Sequence, residues 1–220
     1  MKIDIITLFP NMFKGPFDES MLWKAQKNKL VEINIHDLRQ FGEGERKTVD
    51  DRPYGGGPGM LLRVDIVDKA LEGVKQKDEN SKIILMDAGG KKFTQQKAQD
   101  YSKLDQLIIL AGHYEGFDYR VHEHLIDEEV SIGDFVLTGG EIPAMIITDT
   151  ITRLIPGVLG DEEGVEVESH MQPGYIEYPQ YTRPDNYKNW GVPEILKTGN
   201  HPEIEKWRRQ KSEKRKLSRI

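Results

Sequence analysis

Strand-like and helix-like segments take turns along the first two-thirds of the chain. "KIDIITLF", "LVEINIHDL", "KIILMDA", "DQLIILAG" and "EVSIGDFVL" are Ile/Val/Leu-rich runs of strand length. Between them lie amphipathic stretches. "FDESMLWKAQKNKL" carries acids early and lysines late, as the helix dipole favours. "VDIVDKALEGVKQ" puts Ile66, Ala70, Leu71 and Val74 on one face. "TQQKAQDYSKL" offers Thr94 as an N-cap, "FDYRVHEHLI" is a short helix, and "GEIPAMIITDTITRLI" is a long apolar one. Alternation of this kind predicts an α/β fold with a mainly parallel sheet.

Three of the strands run into glycine-bearing turns: "LMDAGGKK" from Leu85, "LAGHYEG" from Leu110 and "SIGDFVLTGGE" from Ser131. Ligands of open parallel sheets bind at the carboxyl ends of the strands. Small residues there let backbone groups come close to a ligand. No G-x-G-x-x-G follows a strand, and "GGGPG" lacks the Lys-Ser/Thr of a phosphate loop, so dinucleotide and P-loop readings are poor. The histidines show no metal-binding spacing, and no metal is expected. His113 and His122 are read as surface or hydrogen-bonded residues. What remains is a ligand held mainly by backbone, such as an adenosyl cofactor, with Glu115 or Asp134 reaching a hydroxyl or an amine.

The 220 residues suffice for one large domain, or for one medium domain and a small one. Composition reads as soluble and globular, with no apolar run near the ~20 residues that span a bilayer. The N-terminus "MKIDIITLFP" reads as a first strand, not a signal peptide. With no cysteine, disulfides and thiolate chemistry are excluded, in keeping with a reducing cytoplasm. The net charge of −6 is unevenly spread. His201–Ile220 holds eight Lys/Arg against three Glu, about +5, leaving about −11 on the rest. Such a tail is either a solvated terminal helix or a local polyanion-binding surface. Character changes after Pro156. Residues 157–174 read as a mobile interdomain linker, and 175–220 as a small helical domain with a final helix beginning near Pro202. Residues 1–156 form the first domain.

One stretch is left over by this reading. "VDDRPYGGGPGM", Val49–Met60, is rich in Gly and Pro and led by charge. Together with "GHYEGFDYRV", "SIGDFVLTGGEIPAM", "RLIPGVLG", "YPQYTRP" and "HPEIEKWR", in that order, it resembles the bacterial tRNA (guanine-N1-)-methyltransferases of the TrmD family, over almost the whole chain.

The resemblance implies a SPOUT methyltransferase fold with a deep trefoil knot and an obligate homodimer whose active site is completed across the interface. It implies S-adenosylmethionine as the methyl donor and N1 of guanine 37 of tRNA, next to the anticodon, as the target. By motif, Gly112, Ile132, Gly133, Asp134, Phe135, Val136 and Leu137 fall in cofactor-binding segments. Gly139 and Gly140 fall in the turn that follows, Glu115 near the methionine end, and Leu85, Met86 and Asp87 at the first knot loop. That loop reads "MDAGG" here, where the family has a Ser-Pro-Gln-Gly-like turn. Arg153 matches the catalytic arginine. Glu168, in Glu168-Ser169-His170, stands where the family has the general-base aspartate of Asp-Ser-Phe. Asp51, Arg52, Gly56 and Gly57 fall in the loop that shapes the target-base pocket, the two charged residues as substrate contacts or structural ion pairs. Arg183, Lys206, Arg208, Arg209, Lys211, Lys214 and Arg215 become candidate phosphate contacts. The altered loop and the Glu for Asp exchange support one rival from another class, a non-catalytic RNA-binding module with a degenerate pocket; a second rival is a related SPOUT enzyme with another target base.

Overall fold

Every residue of Gln106–Ala111 is buried, and this strand is the middle of the sheet. The computed structural model describes residues 1–75, 80–160 and 167–218. They divide into two compact units, Met1–Gly160 and Asp161–Ile220.

The first unit holds five parallel strands in the order β2-β1-β6-β5-β7. They are β1 (Lys2–Thr7), β2 (Glu32–Asp37), β5 (Ser81–Lys92), β6 (Gln106–Ala111) and β7 (Glu128–Ser131). Parallel strands with both faces covered read as continuous apolar runs, and "QLIILA" shows why β6 takes the centre. Helices α1 (Ser20–Lys27), α3 (Gln95–Tyr101) and α5 (Glu141–Thr152) cover one face, where Ile3, Ile5, Ile84, Leu107 and Ile109 pack with Leu22, Ala98, Ala144 and Ile147. The other face packs Ile6, Ile83, Leu85, Ile108 and Leu110 against α2 (Val64–Val74) and α4 (Tyr119–His124). All four residues expected on the inner face of α2 are buried, and Val67 joins them.

Local chemistry sets several boundaries. Thr94 caps α3, its side chain accepting from the Lys97 amide. The first helix starts only at Ser20, so the acids Asp18 and Glu19 precede it. The run "EVSIGDFVL" was expected to be one strand, but β7 stops at Ser131. The Ser131 hydroxyl bonds Gly133 twice, accepting from its amide and donating to its carbonyl, and this turn ends the ladder. The β5 run goes past "KIILMDA" to Lys92. Against β7, Met86 and Lys91 both register with Val130, so Asp87–Gly90 is looped out of the ladder.

A short ribbon, β3 (Asp50–Asp51) with β4 (Leu61–Leu62), closes the base of the glycine loop. Gly55, Gly56, Gly57 and Gly59 all have positive φ, from +76° to +132°, a region that residues with side chains rarely adopt. The loop's composition is thus required by its path.

The second unit contains the hairpin β8 (Asn186–Tyr187) and β9 (Trp190–Gly191), a 3-10 turn at Glu194–Lys197 and one long helix, α6 (His201–Leu217), which starts with Pro202 in its first turn. Ser212 of α6 donates to the Ile176 carbonyl at 2.5 Å, and Arg215 donates to the Glu177 carbonyl. Of the expected linker, 157–174, residues 161–166 lie outside the described residues. Residues 168–174 form turns within the second unit: the Ser169 hydroxyl accepts from the Glu177 amide, and the His170 amide donates to the Tyr175 carbonyl.

Candidate functional site

Three turns meet in one cleft, at the looped-out part of β5 and at the carboxyl ends of β6 and β7. The first is the looped-out Asp87–Gly90 segment. Asp87 shapes it by accepting the Gly89 amide at 2.6 Å. The second is Gly112–Phe117, and the third is Ile132–Gly140, which leads from β7 into α5. There the Gly140 amide donates to the Gly112 carbonyl at 2.7 Å, tying the second turn to the third.

Of the residues expected around a cofactor, Met86, Asp87, Gly112, Glu115, Ile132, Gly133, Phe135, Val136, Leu137, Gly139 and Gly140 line this cleft. Two do not. Leu85 is buried on the opposite sheet face, in the core beneath α2. Asp134 points away into an exposed ion pair with Lys92 at 2.5 Å. The cleft also takes in Ala88, His113, Tyr114, Phe117, Thr138 and Pro143, which sequence reasoning did not select. Most of these sit inside the quoted motifs, so reading each motif as one continuous wall would have found them. His113 is hydrogen-bonded, as expected, to Glu141 at 3.3 Å, and His122 to Glu129 at 2.7 Å.

The glycine loop is fastened alongside. The Glu115 amide donates to Met60, Leu62 donates to Gly116, and Asp118 donates to Leu62. A Cβ on Gly59 would sit 2.3 Å from Cγ of Glu115, so the bare glycine is what lets the Glu115 side chain lie across the loop. Asp51 accepts the Arg52 amide, and both side chains are exposed, as are Gly56 and Gly57. Arg63 and Arg120, nearby, are held by Asp65 and Asp118. Their hydrogen bonds raise the guanidinium pKa and keep both carboxyls below the ordinary range.

A model of the tRNA (Guanine-1)-methyltransferase TrmD family matches residues 1–219. The chain belongs to the TrmD family. A tRNA (guanine-N(1)-)-methyltransferase of Dehalococcoides mccartyi is 49% identical over 220 residues, covering 100% of this chain and 88% of that protein. Proteins of the same name from Dictyoglomus turgidum and Bacillus pumilus are 50% identical over 215 residues and 48% over 220. They cover 98% and 100% of this chain, and 86% and 90% of their own lengths.

The remaining expected residues of this TrmD-family chain are divided between the units. Arg153 caps the C-terminal end of α5 in the first unit. Glu168 belongs to the second, where it is half-buried and its carbonyl accepts the Met171 amide. Arg183 and Arg209 are exposed. Arg208 is occupied within its own unit, paired with Glu205 at 2.6 Å and stacked 4.7 Å over the ring of Tyr178. Among the described residues, no group of three or more His, Asp or Glu is placed to hold a metal ion, and no helix is long and apolar enough to cross a membrane.

Proposed function

We propose that this chain transfers a methyl group from S-adenosylmethionine to N1 of guanine 37 of tRNA, where another guanine precedes the target. The observation that carries the reading is the convergence of three glycine-bearing turns on one cleft, in a chain matched to the family over residues 1–219. The cleft suits the cofactor chemically. Small residues at Gly112, Gly133, Gly139 and Gly140 let backbone groups approach. Ile132, Leu137 and Pro143 give a purine ring an apolar wall, and Glu115 supplies a carboxylate for a cationic amine. Met86, Asp87, Phe135 and Val136 complete the lining, with Leu85 in the core behind it.

When bound, S-adenosylmethionine supplies a methyl group on a sulfonium, an electrophile that needs no metal. The protein's task is to make guanine N1 a nucleophile and to hold it in line. N1 carries a proton, and Glu168 removes it as general base. The negative charge that then builds toward O6 is stabilised by the guanidinium of Arg153. Asp51, Arg52, Gly56 and Gly57 form the side of the pocket that receives the extruded base. Arg183 and Arg209 contact tRNA phosphates, with Arg208 keeping the surface of α6 in shape.

The finer architecture belongs to the same reading. It comprises a trefoil knot through the three turns, a 157–174 linker, a small tRNA-binding second domain, a cytoplasmic location and a homodimer. The dimer is supported by a cluster of exposed apolar side chains. Phe135, Val136, Leu137, Ile142 and Ile146 are between 39% and 86% exposed within a short stretch of chain.

The experiment is methyl transfer to tRNA transcripts carrying guanine, inosine or adenine at position 37, with cofactor binding measured in parallel by calorimetry. Methylation at N1 of the guanine transcript is expected, and none with adenine. Cofactor binding without transfer to any transcript would assign the chain to the RNA-binding class instead. Transfer to the adenine transcript would assign another target base.

A further inference from the structure

Glu141 lies at the first position of α5 and is only 1% exposed. A carboxylate held out of water is costly unless hydrogen-bonded, and its partners come from two other elements. The Thr7 hydroxyl, at the end of β1, donates to one carboxylate oxygen at 2.9 Å. His113 Nδ1, in the turn after β6, lies 3.3 Å from the other. With the carboxylate as acceptor, this bond uses the ring tautomer that carries its proton on Nδ1. Thr7 Oγ1 also accepts the Phe9 amide at 2.9 Å, and the Phe9 ring packs on the His113 ring with centroids 4.6 Å apart. His113 is therefore fixed by a carboxyl group on one side and by a ring on another.

This pair bridges two walls of the cleft. His113 belongs to the second turn, and Glu141 directly follows Gly139 and Gly140 of the third. A Cβ on Gly139 would lie 2.4 Å from Oε2 of Glu141 and 2.4 Å from Nδ1 of His113. The missing side chain is what allows the turn to close over the pair.

We infer that Glu141 is a positioning residue for cofactor binding: through His113 it holds the second turn of the cleft against the third. The inference rests on the reading of the cleft as the S-adenosylmethionine site. The test measures the S-adenosylmethionine dissociation constant by calorimetry, with the melting temperature alongside, for the parent and for Glu141→Gln, His113→Gln, His113→Leu and Gly139→Ala. His113→Leu loses the bond to Glu141 and should weaken binding by about tenfold or more. His113→Gln keeps an N–H donor and should retain most of the affinity. Gly139→Ala, which wedges the pair apart, should resemble His113→Leu.

If Glu141→Gln does not fold, the two His113 variants and Gly139→Ala still decide. Equal affinities for His113→Leu and His113→Gln, or losses that follow melting temperature alone, would overturn the positioning role. A parent that fails to bind S-adenosylmethionine overturns the reading of the cleft, and this inference with it. A parent that binds, with every variant matching it, overturns the inference alone.

Discussion

Met86 and Lys91 of β5 share one partner, both registering against Val130 of β7. The segment between them is thereby pushed out of the ladder and into the cleft, held by the Asp87 side chain on the Gly89 amide. Asp87→Ala removes that turn-forming bond, worth about 1 kcal/mol. Because the loop is at the surface, the melting temperature should change little. The S-adenosylmethionine dissociation constant should rise several-fold by calorimetry. An unchanged constant would show that the loop's backbone path does not depend on Asp87.

Glu168→Gln should bind cofactor like the parent and lose about 10²- to 10⁴-fold in single-turnover methylation, the range for a general base. A rate near the parent's would remove Glu168 from the mechanism. Arg153→Ala should likewise depress the chemical step. If it weakened only tRNA affinity, Arg153 would be a phosphate contact.

Asp4 sets an acid limit on stability. It is fully buried in β1. Burial alone would raise its pKa, but hydrogen bonds from His36 at 2.8 Å, Gln106 at 2.6 Å and Asn34 at 3.2 Å, with the charge of Lys2, outweigh it and hold the carboxyl below its ordinary value. A depressed folded-state pKa stabilises the protein above the unfolded value, near 4. That contribution is lost as pH falls through the folded-state value. Asp4→Asn should cost about 2 kcal/mol at neutral pH, roughly 4–8 °C in melting temperature. It should also flatten the fall in melting temperature below about pH 4. A parallel shift at every pH would assign the loss to packing.

Two neighbouring arginines of α6 should separate. Arg209 is exposed, and its replacement by Ala should lower tRNA affinity and reduce the slope of log affinity against log salt by about 1. Arg208 is bound to Glu205 and Tyr178, so Arg208→Ala should lower the melting temperature with less change in slope. Equal slopes for the two variants would contradict this division.

The helices and the buried strands of the first unit were legible because apolar period and burial coincide there, as in β6 and α2. Boundaries were less so where side chains compete with the ladder. The Ser131–Gly133 bonds cut β7 short although "IGDFVL" is apolar, and no periodicity signals a bond of that kind. The cleft was legible as three glycine turns, since glycine marks close approach whatever the partner. Which side chains face it was not. Leu85 and Met86 are adjacent, yet strand pleating sends them to opposite faces. Asp134 and Glu115 are both acids in cleft motifs, but a nearby lysine draws one of them away. The role of Glu141 was hidden because its partners Thr7 and His113 are distant in sequence and meet only in the folded sheet.

The strand order also governs what happens on the ribosome. Among the strands of this sheet β1 is made before the others; it lies between β2 and β6, and its Lys2 registers with Gln106. Until residue 111 has left the exit tunnel, one edge of β1 stays unpaired, and β5 waits for β7 after that. At about 5–20 residues per second, that edge is open for roughly 5–20 seconds of synthesis. An unpaired apolar edge is a template for wrong partners. The interval in which the nascent chain most needs protection therefore falls between the making of β2 and the making of β6.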